Sequence, residues 1–138
     1  DAILLLAQLE INAGNVRGAI ASLERATLIE PNDVGLFFQL GLLQYSSSNF
    51  SGAVSALERA VALTPNYANA KYFLGLAYYN VGRTDDAIRQ FEGIEATNPD
   101  NEEVKKILEN LYENKNPLTG IVPPGEQPVR REEAPIEE

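Results

Sequence analysis

The sequence predicts an all-α fold, a solenoid of three helix–turn–helix units closed by a seventh helix. Three observations carry that prediction. Prolines stand at Pro31, Pro65 and Pro99, an even 34 residues apart. The same period carries apolar residues in fixed order, at Ala19, Ala53 and Ala87, at Leu23, Leu57 and Phe91, at Leu6, Leu40 and Leu74, at Ile20, Val54 and Ile88, and at Ala26, Ala60 and Ile94. Between the prolines, apolar residues recur at helical spacing. Self-similarity of this kind marks stacked units that bury their apolar faces only against their neighbours.

The first helix spans roughly Ala2–Ala13 and turns at Gly14-Asn15 into a second over roughly Val16–Ile29. Pro31 closes the unit, because proline cannot continue a helix interior. Asn32 then stands where it could cap the next helix. The second unit repeats the plan with helices at roughly Val34–Ser47 and Ser51–Leu63 around the turn Ser48-Asn49. The third does so at roughly Tyr67–Val81 and Asp85–Thr97 around Gly82-Arg83, with Asn66 and Asp100 in the place of Asn32. Asp100 and Glu103 read as a capping box for a last helix over about Glu102–Asn114. That helix alternates Val104, Ile107, Leu108 and Leu111 with Glu and Lys, so one face can cover the core while the other meets water. The units thus run about 1–31, 32–65 and 66–99, with the capping segment at 101–114.

The proline spacing, the pairs Leu40-Gly41 and Leu74-Gly75, Tyr78, the periodic alanines and Phe91 resemble tetratricopeptide (TPR) repeats of bacterial type, over residues 1 to about 114. The resemblance implies a right-handed solenoid. The family's usual Trp is replaced by Phe37 in the second unit and Lys71 in the third. The first unit has Ala7 for the glycine and Glu10 for the aromatic, and is the least typical.

On the first helices, Leu36, Leu40 and Leu43 form one stripe, while Phe38, Leu42 and Tyr45 form a second on roughly the opposite side. The second stripe recurs as Leu4, Gln8 and Ile11 and as Tyr72, Leu76 and Tyr79. In the TPR family this face lines a concave groove that binds peptides. The resemblance therefore implies an apolar, aromatic peptide-binding groove here, with Asn69 and Asn80 as polar flanks. Tyrosine hydroxyls favour a wet edge, so the expectation is a partly exposed surface. Some TPR domains clamp a carboxylate with cations. The corresponding positions, Leu4, Gln8, Gln39, Asn69 and Phe73, hold none, so that mode is not expected.

Residues 115–138 contain Pro117, Pro123, Pro124, Pro128 and Pro135 and end in dense charge. Such a composition buries too little apolar area to offset its ordering entropy, and an extended tail is expected. Leu118, Ile121 and Val122 are its best anchors, and the tail could lie in its own groove or a neighbour's, self-associating in the latter case.

Eleven basic against twenty acidic residues leave a net charge of −9, which disfavours nucleic acid and anionic membrane as partners. The absence of His and Cys removes the commonest general base and the thiolate and imidazole metal ligands. No catalytic residue, metal site or cofactor is expected. Asp85-Asp86 reads as a helix start complementing its dipole, and the recurring Glu24, Glu58 and Glu92 as a surface pattern. No apolar run approaches the roughly 20 residues that span a bilayer. The chain opens on Asp1 without Met, which reads as a fragment of a longer protein, and the compartment stays open between cytoplasm and periplasm. The expected function is a non-enzymatic scaffold binding a protein or peptide. The alternative is an accessory domain of a larger bacterial membrane or polysaccharide-related enzyme.

Overall fold

A computed structural model describes residues 2–121. Among them are seven α-helices and no strand: α1 (Ala2–Asn12), α2 (Val16–Ile29), α3 (Val34–Ser46), α4 (Phe50–Leu63), α5 (Ala68–Asn80), α6 (Thr84–Thr97) and α7 (Glu102–Tyr112). Each helix packs on its successor, and α3 also touches α5 directly. This is an all-α solenoid, and the first helices α1, α3 and α5 form one row.

Local chemistry sets the helix ends. Within each unit the turn needs one left-handed residue, supplied by Gly14 (φ +84°), Ser48 (φ +63°) and Gly82 (φ +85°). The next residue caps the second helix. Asn15 and Asn49 each accept a hydrogen bond from a backbone N–H three residues on, at 3.0 Å. Arg83 cannot accept one, and the third unit instead opens α6 with Asp85 and Asp86 in its first turn.

Between units the expected caps shift by one residue. Asp33 caps α3 and Asn101 caps α7 through their side chains, while Tyr67 precedes α5 with no side-chain cap. Asn32, Asn66 and Asp100 are instead the third residue of a proline turn. The N–H of Asp33, Tyr67 and Asn101 donates back to the carbonyl of Glu30, Thr64 and Asn98 at 3.2, 3.1 and 3.1 Å. Proline occupies the second position of that turn, where its fixed φ fits, and the cap comes only at the fourth. The capping box at Asp100 and Glu103 therefore does not form.

The core repeats with the sequence. Ala19, Ala53 and Ala87 are buried under each unit, beside Leu23, Leu57 and Phe91. Gly41 and Gly75 allow the two helices of a unit to close. A Cβ on Gly41 would fall 2.6 Å from Leu57 Cγ, and one on Gly75 would overlap the Phe91 ring. Ala7 fills this place in the first unit and is buried there.

The expected tail boundary at 114 does not hold, because the next residues fold back on α7. The buried Asn110 side chain donates to Pro117 O at 2.8 Å and Thr119 O at 2.9 Å. Pro117 is itself buried, and Ile121 packs against the core. Of the expected anchors, Ile121 makes contact, Leu118 stays 38% exposed, and Val122 lies outside the described residues.

Candidate interaction surface

The expected groove residues fall on the row of first helices with differing exposure. Phe38, Leu42 and Tyr45 on α3 and Tyr72 and Tyr79 on α5 are half-buried. On α1, Leu4 and Gln8 are exposed and Ile11 is half-buried. Leu76 departs from the expectation: at 3% exposure it belongs to the core beneath the surface. Asn69 and Asn80 are exposed, and Asn80 donates back to Leu76 O at 2.8 Å, within its own helix.

The aromatic side chains are not independent. Tyr45 meets Phe73 edge to face at 5.7 Å, Phe73 meets Tyr72 at 5.2 Å, and Tyr72 meets the buried Phe91 at 5.7 Å. Phe50 joins the far end through Tyr45, and Phe38 packs on Tyr67 at 4.8 Å. Edge-to-face contacts of this kind are favourable beyond the area they bury, so the rings tie α3 to α5 and form a preorganised apolar wall. Sequence reasoning did not single out Phe50 and Tyr67, and named Phe73 only as an uncharged clamp position. Their signal is the abundance of aromatics in the second and third units, which periodicity of one column does not collect.

Tyr72 has a second task. Its hydroxyl donates to Glu103 Oε2 on α7 at 2.6 Å, fastening the closing helix to the row. Burial first, and then the Glu103 carboxylate, hold its pKa well above the ordinary phenol value. Burial alone raises that of Tyr45. No cation occupies Leu4, Gln8, Gln39, Asn69 or Phe73.

Two further places carry polar groups. Tyr78 donates to Glu58 at 2.5 Å, with Arg83 lying over its ring at 4.5 Å. Beside it is a solvent-open depression of about 310 Å³ lined by Ser51, Val54, Ser55, Glu58, Val81 and Arg83. Tyr112 donates to Glu92 at 2.6 Å. Glu58 and Glu92 are thus partners of the next unit rather than only a surface pattern. Asp86 is paired with Arg83 at 2.8 Å and with Arg89. The Arg83 hydrogen bond, followed by that of Arg89, depresses its pKa. Among the described residues no group of three or more His, Cys, Asp or Glu is placed to hold a metal ion, and no helix is long and apolar enough to cross a membrane.

Tetratricopeptide-repeat models match residues 1–33 and 44–111. Two solved chains of MamA superpose with TM-scores of 0.74 and 0.73 at 28% and 29% identity, over 81% and 80% of this chain. This chain spans 66% and 61% of theirs. The first TPR of Spaghetti (RPAP3), bound to the HSP90 peptide SRMEEVD, has a TM-score of 0.73 at 19% identity, covering 82% of this chain and 90% of that one, and shows the fold alone. An O-GlcNAc transferase of Thermobaculum terrenum matches 78% of this chain with 21% of its own, at 28% identity and a TM-score of 0.62. No curated protein matches the sequence.

Proposed function

The chain belongs to the tetratricopeptide-repeat family, and on that premise we propose that its row of first helices is a concave surface binding an apolar peptide or helix, without catalysis. The fold itself supports a protein-interaction scaffold. The observation that carries the finer reading is the half-buried set Phe38, Leu42, Tyr45, Tyr72 and Tyr79, continuous across two successive first helices. Rings already held against the core lose little freedom on binding, which is what makes aromatic anchors energetic hot spots. The lack of a cation at the clamp positions, with a net charge of −9, favours neutral or basic ligands over acidic ones.

The test is a phage-displayed peptide selection on the immobilised chain, followed by titration of the selected peptides. The variant Leu42→Gln/Tyr79→Ser alters the surface and spares Tyr72, whose truncation would loosen α7. Apolar, aromatic-rich peptides are expected, binding the variant about tenfold or more weakly at unchanged helicity. Enrichment of acidic peptides, or equal binding by the variant, would overturn the reading. The chain's own residues 122–138, as a synthetic competitor, test whether its tail is the occupant.

The transferase match supports a second reading, in which the array is an accessory part of a larger enzyme. That neighbour devotes 21% of its length to the matching segment. Under this reading the array would recruit or position a substrate protein, and the reactive groups would lie outside these residues.

A further inference from the structure

We propose that the peptide taken by this surface carries a lysine or arginine that seats on Glu103, at the α7 edge of the aromatic wall. The inference rests on the peptide-binding reading above and names a specificity contact within it. The Tyr72 hydroxyl donates to Glu103 Oε2 at 2.6 Å. The same phenol belongs to the ring series that continues through Phe73 to Tyr45. A negative charge thus stands where the apolar wall ends. Glu103 is exposed, and a carboxylate accepts up to about four hydrogen bonds, so one phenol leaves it open to a further donor.

The wall itself offers a ligand no charge. Helix α3 has no charged residue, and α5 has only Lys71. Lys71 is turned to α6, with its Nζ 3.4 Å from where a Cβ on Gly93 would stand. Glu10 of α1 is turned to α2, where it accepts from Ser22 Oγ at 2.8 Å. On α7 and just after it, three carboxylates have lysine partners. Glu102 pairs with Lys105 at 3.8 Å, Glu109 with Lys106 at 3.7 Å, and Glu113 with Lys115 at 2.9 Å. Glu103 is the fourth, and no lysine or arginine among the described residues pairs with it.

The helix dipole favours an acid in a first turn, and both Glu102 and Glu103 stand in that of α7. The dipole therefore does not separate them, but their neighbours do. Glu102 carries its own lysine in solvent, whereas Glu103 is held against Tyr72. A ligand's ammonium or guanidinium would make a charge-assisted hydrogen bond to Glu103 while its apolar residues lie on the wall. The net charge of −9 draws a basic ligand to the chain, and Glu103 fixes where its cation arrives. A contact of this kind sets register and specificity more than affinity.

Parallel phage-displayed peptide selections on the 138-residue parent and on Glu103→Gln test this. Peptides from the parent should share a lysine or arginine at a fixed distance from their apolar anchors, and that enrichment should vanish on Glu103→Gln. The introduced amide still accepts from Tyr72, so the thermal melt should be unchanged. The best parent peptide is then synthesised with lysine or with glutamine at the enriched position. The lysine form should bind the parent about fivefold more tightly, the upper range for an exposed ion pair. That advantage should shrink at about 0.5 M salt and be absent in Glu103→Gln. Glu102→Gln removes the same charge next door and should keep it. Apolar peptides without an enriched cation, still weakened by Leu42→Gln/Tyr79→Ser, would overturn this proposal and leave the surface reading standing. A lysine advantage lost equally in Glu102→Gln would also overturn it, by assigning the effect to net charge. No selected peptide, or peptides indifferent to Leu42→Gln/Tyr79→Ser, would overturn the surface reading and this inference with it.

Discussion

Replacing Gln44 by tyrosine should complete a ladder of hydrogen bonds that the chain holds at two of three steps. Tyr78 donates to Glu58 at 2.5 Å and Tyr112 donates to Glu92 at 2.6 Å, each joining a unit's second helix to the first helix that follows. Both tyrosines lie 20 residues after their glutamates, and the two pairs are one repeat apart. The same offset from Glu24 arrives at Gln44. That side chain is buried, and its Oε1 has no hydrogen-bond partner. An orphaned buried acceptor costs about 1–3 kcal/mol, and a bond to a charged group contributes about 1.5–3 kcal/mol, less at a half-exposed site. Gln44→Leu, which only removes the orphan, should then stabilise by about 1 kcal/mol. Gln44→Tyr should reach about 2 kcal/mol. The third unit shows that the backbone accommodates the ring, since Tyr78 is buried there with Asp86 in the place of Gly52.

Urea unfolding measures the effect. With a slope of about 2 kcal/mol/M, the tyrosine variant should move the midpoint up by about 1 M and the leucine variant by about half of that. A double-mutant cycle with Glu24→Gln isolates the new bond, for which a coupling of about 0.5–1.5 kcal/mol is expected. If the tyrosine variant is no more stable than the leucine variant, and the cycle with Glu24→Gln gives no coupling, the ladder argument is wrong.

Asn110→Asp keeps the shape of the side chain but removes both bonds to the tail carbonyls, and should destabilise by about 2–4 kcal/mol at pH 7. Burial raises the folded pKa of the introduced carboxyl above its unfolded value of about 3.9, so the deficit grows as pH rises and is smaller at pH 4 than at pH 7, read as urea midpoints against the parent at each pH. Ser48→Gly relieves the left-handed backbone at φ +63°, and a thermal melt should show a gain of about 0.5–1 kcal/mol, with no change or a loss counting against strain at that turn. The Tyr112 hydroxyl is pushed up to about 12, by its bond to Glu92 first and by burial second, and Tyr72 and Tyr78 are raised further, by burial first. A group with a raised folded pKa contributes in full below its unfolded value of about 10, and that contribution is lost above it, so absorbance at 295 nm should show a late tyrosine phase coinciding with loss of helicity. Complete ionisation near pH 10 in a still-helical chain would contradict the three bonds.

Helix number and order were legible in the sequence because every unit solves one packing problem with the same residues. Val16–Ile29 was placed to the residue, and the other helices to within two at either end. The caps were misplaced for a reason that periodicity cannot expose. All three junctions carry proline followed by Asn or Asp, so the repeat alone does not say whether the turn or the helix takes that residue. Leu76 shows the same limit. Its angular position matches that of Leu42, yet it is buried while Leu42 is half-exposed, because helical angle does not report what neighbouring helices lay over a stripe. The docking of residues 115–121 has no repeat to reveal it. It depends on one amide, Asn110, satisfying two carbonyls of a proline-rich segment whose composition reads as unable to pack.

The glutamates show where more could have been read. Glu24, Glu58 and Glu92 taken as one column look like a solvated face. A contact between adjacent units repeats both of its partners at the same period, so the separation between the partners stays constant along the array. Glu58–Tyr78 and Glu92–Tyr112 share such a separation, and the column 44, 78, 112 then has one member, Gln44, that departs from tyrosine. That departure coincides with the one buried side-chain oxygen among the described residues that has no hydrogen-bond partner. A constant offset between two periodic columns is therefore evidence of contact between units, and a break in one column marks the junction at which a polar group has lost its partner.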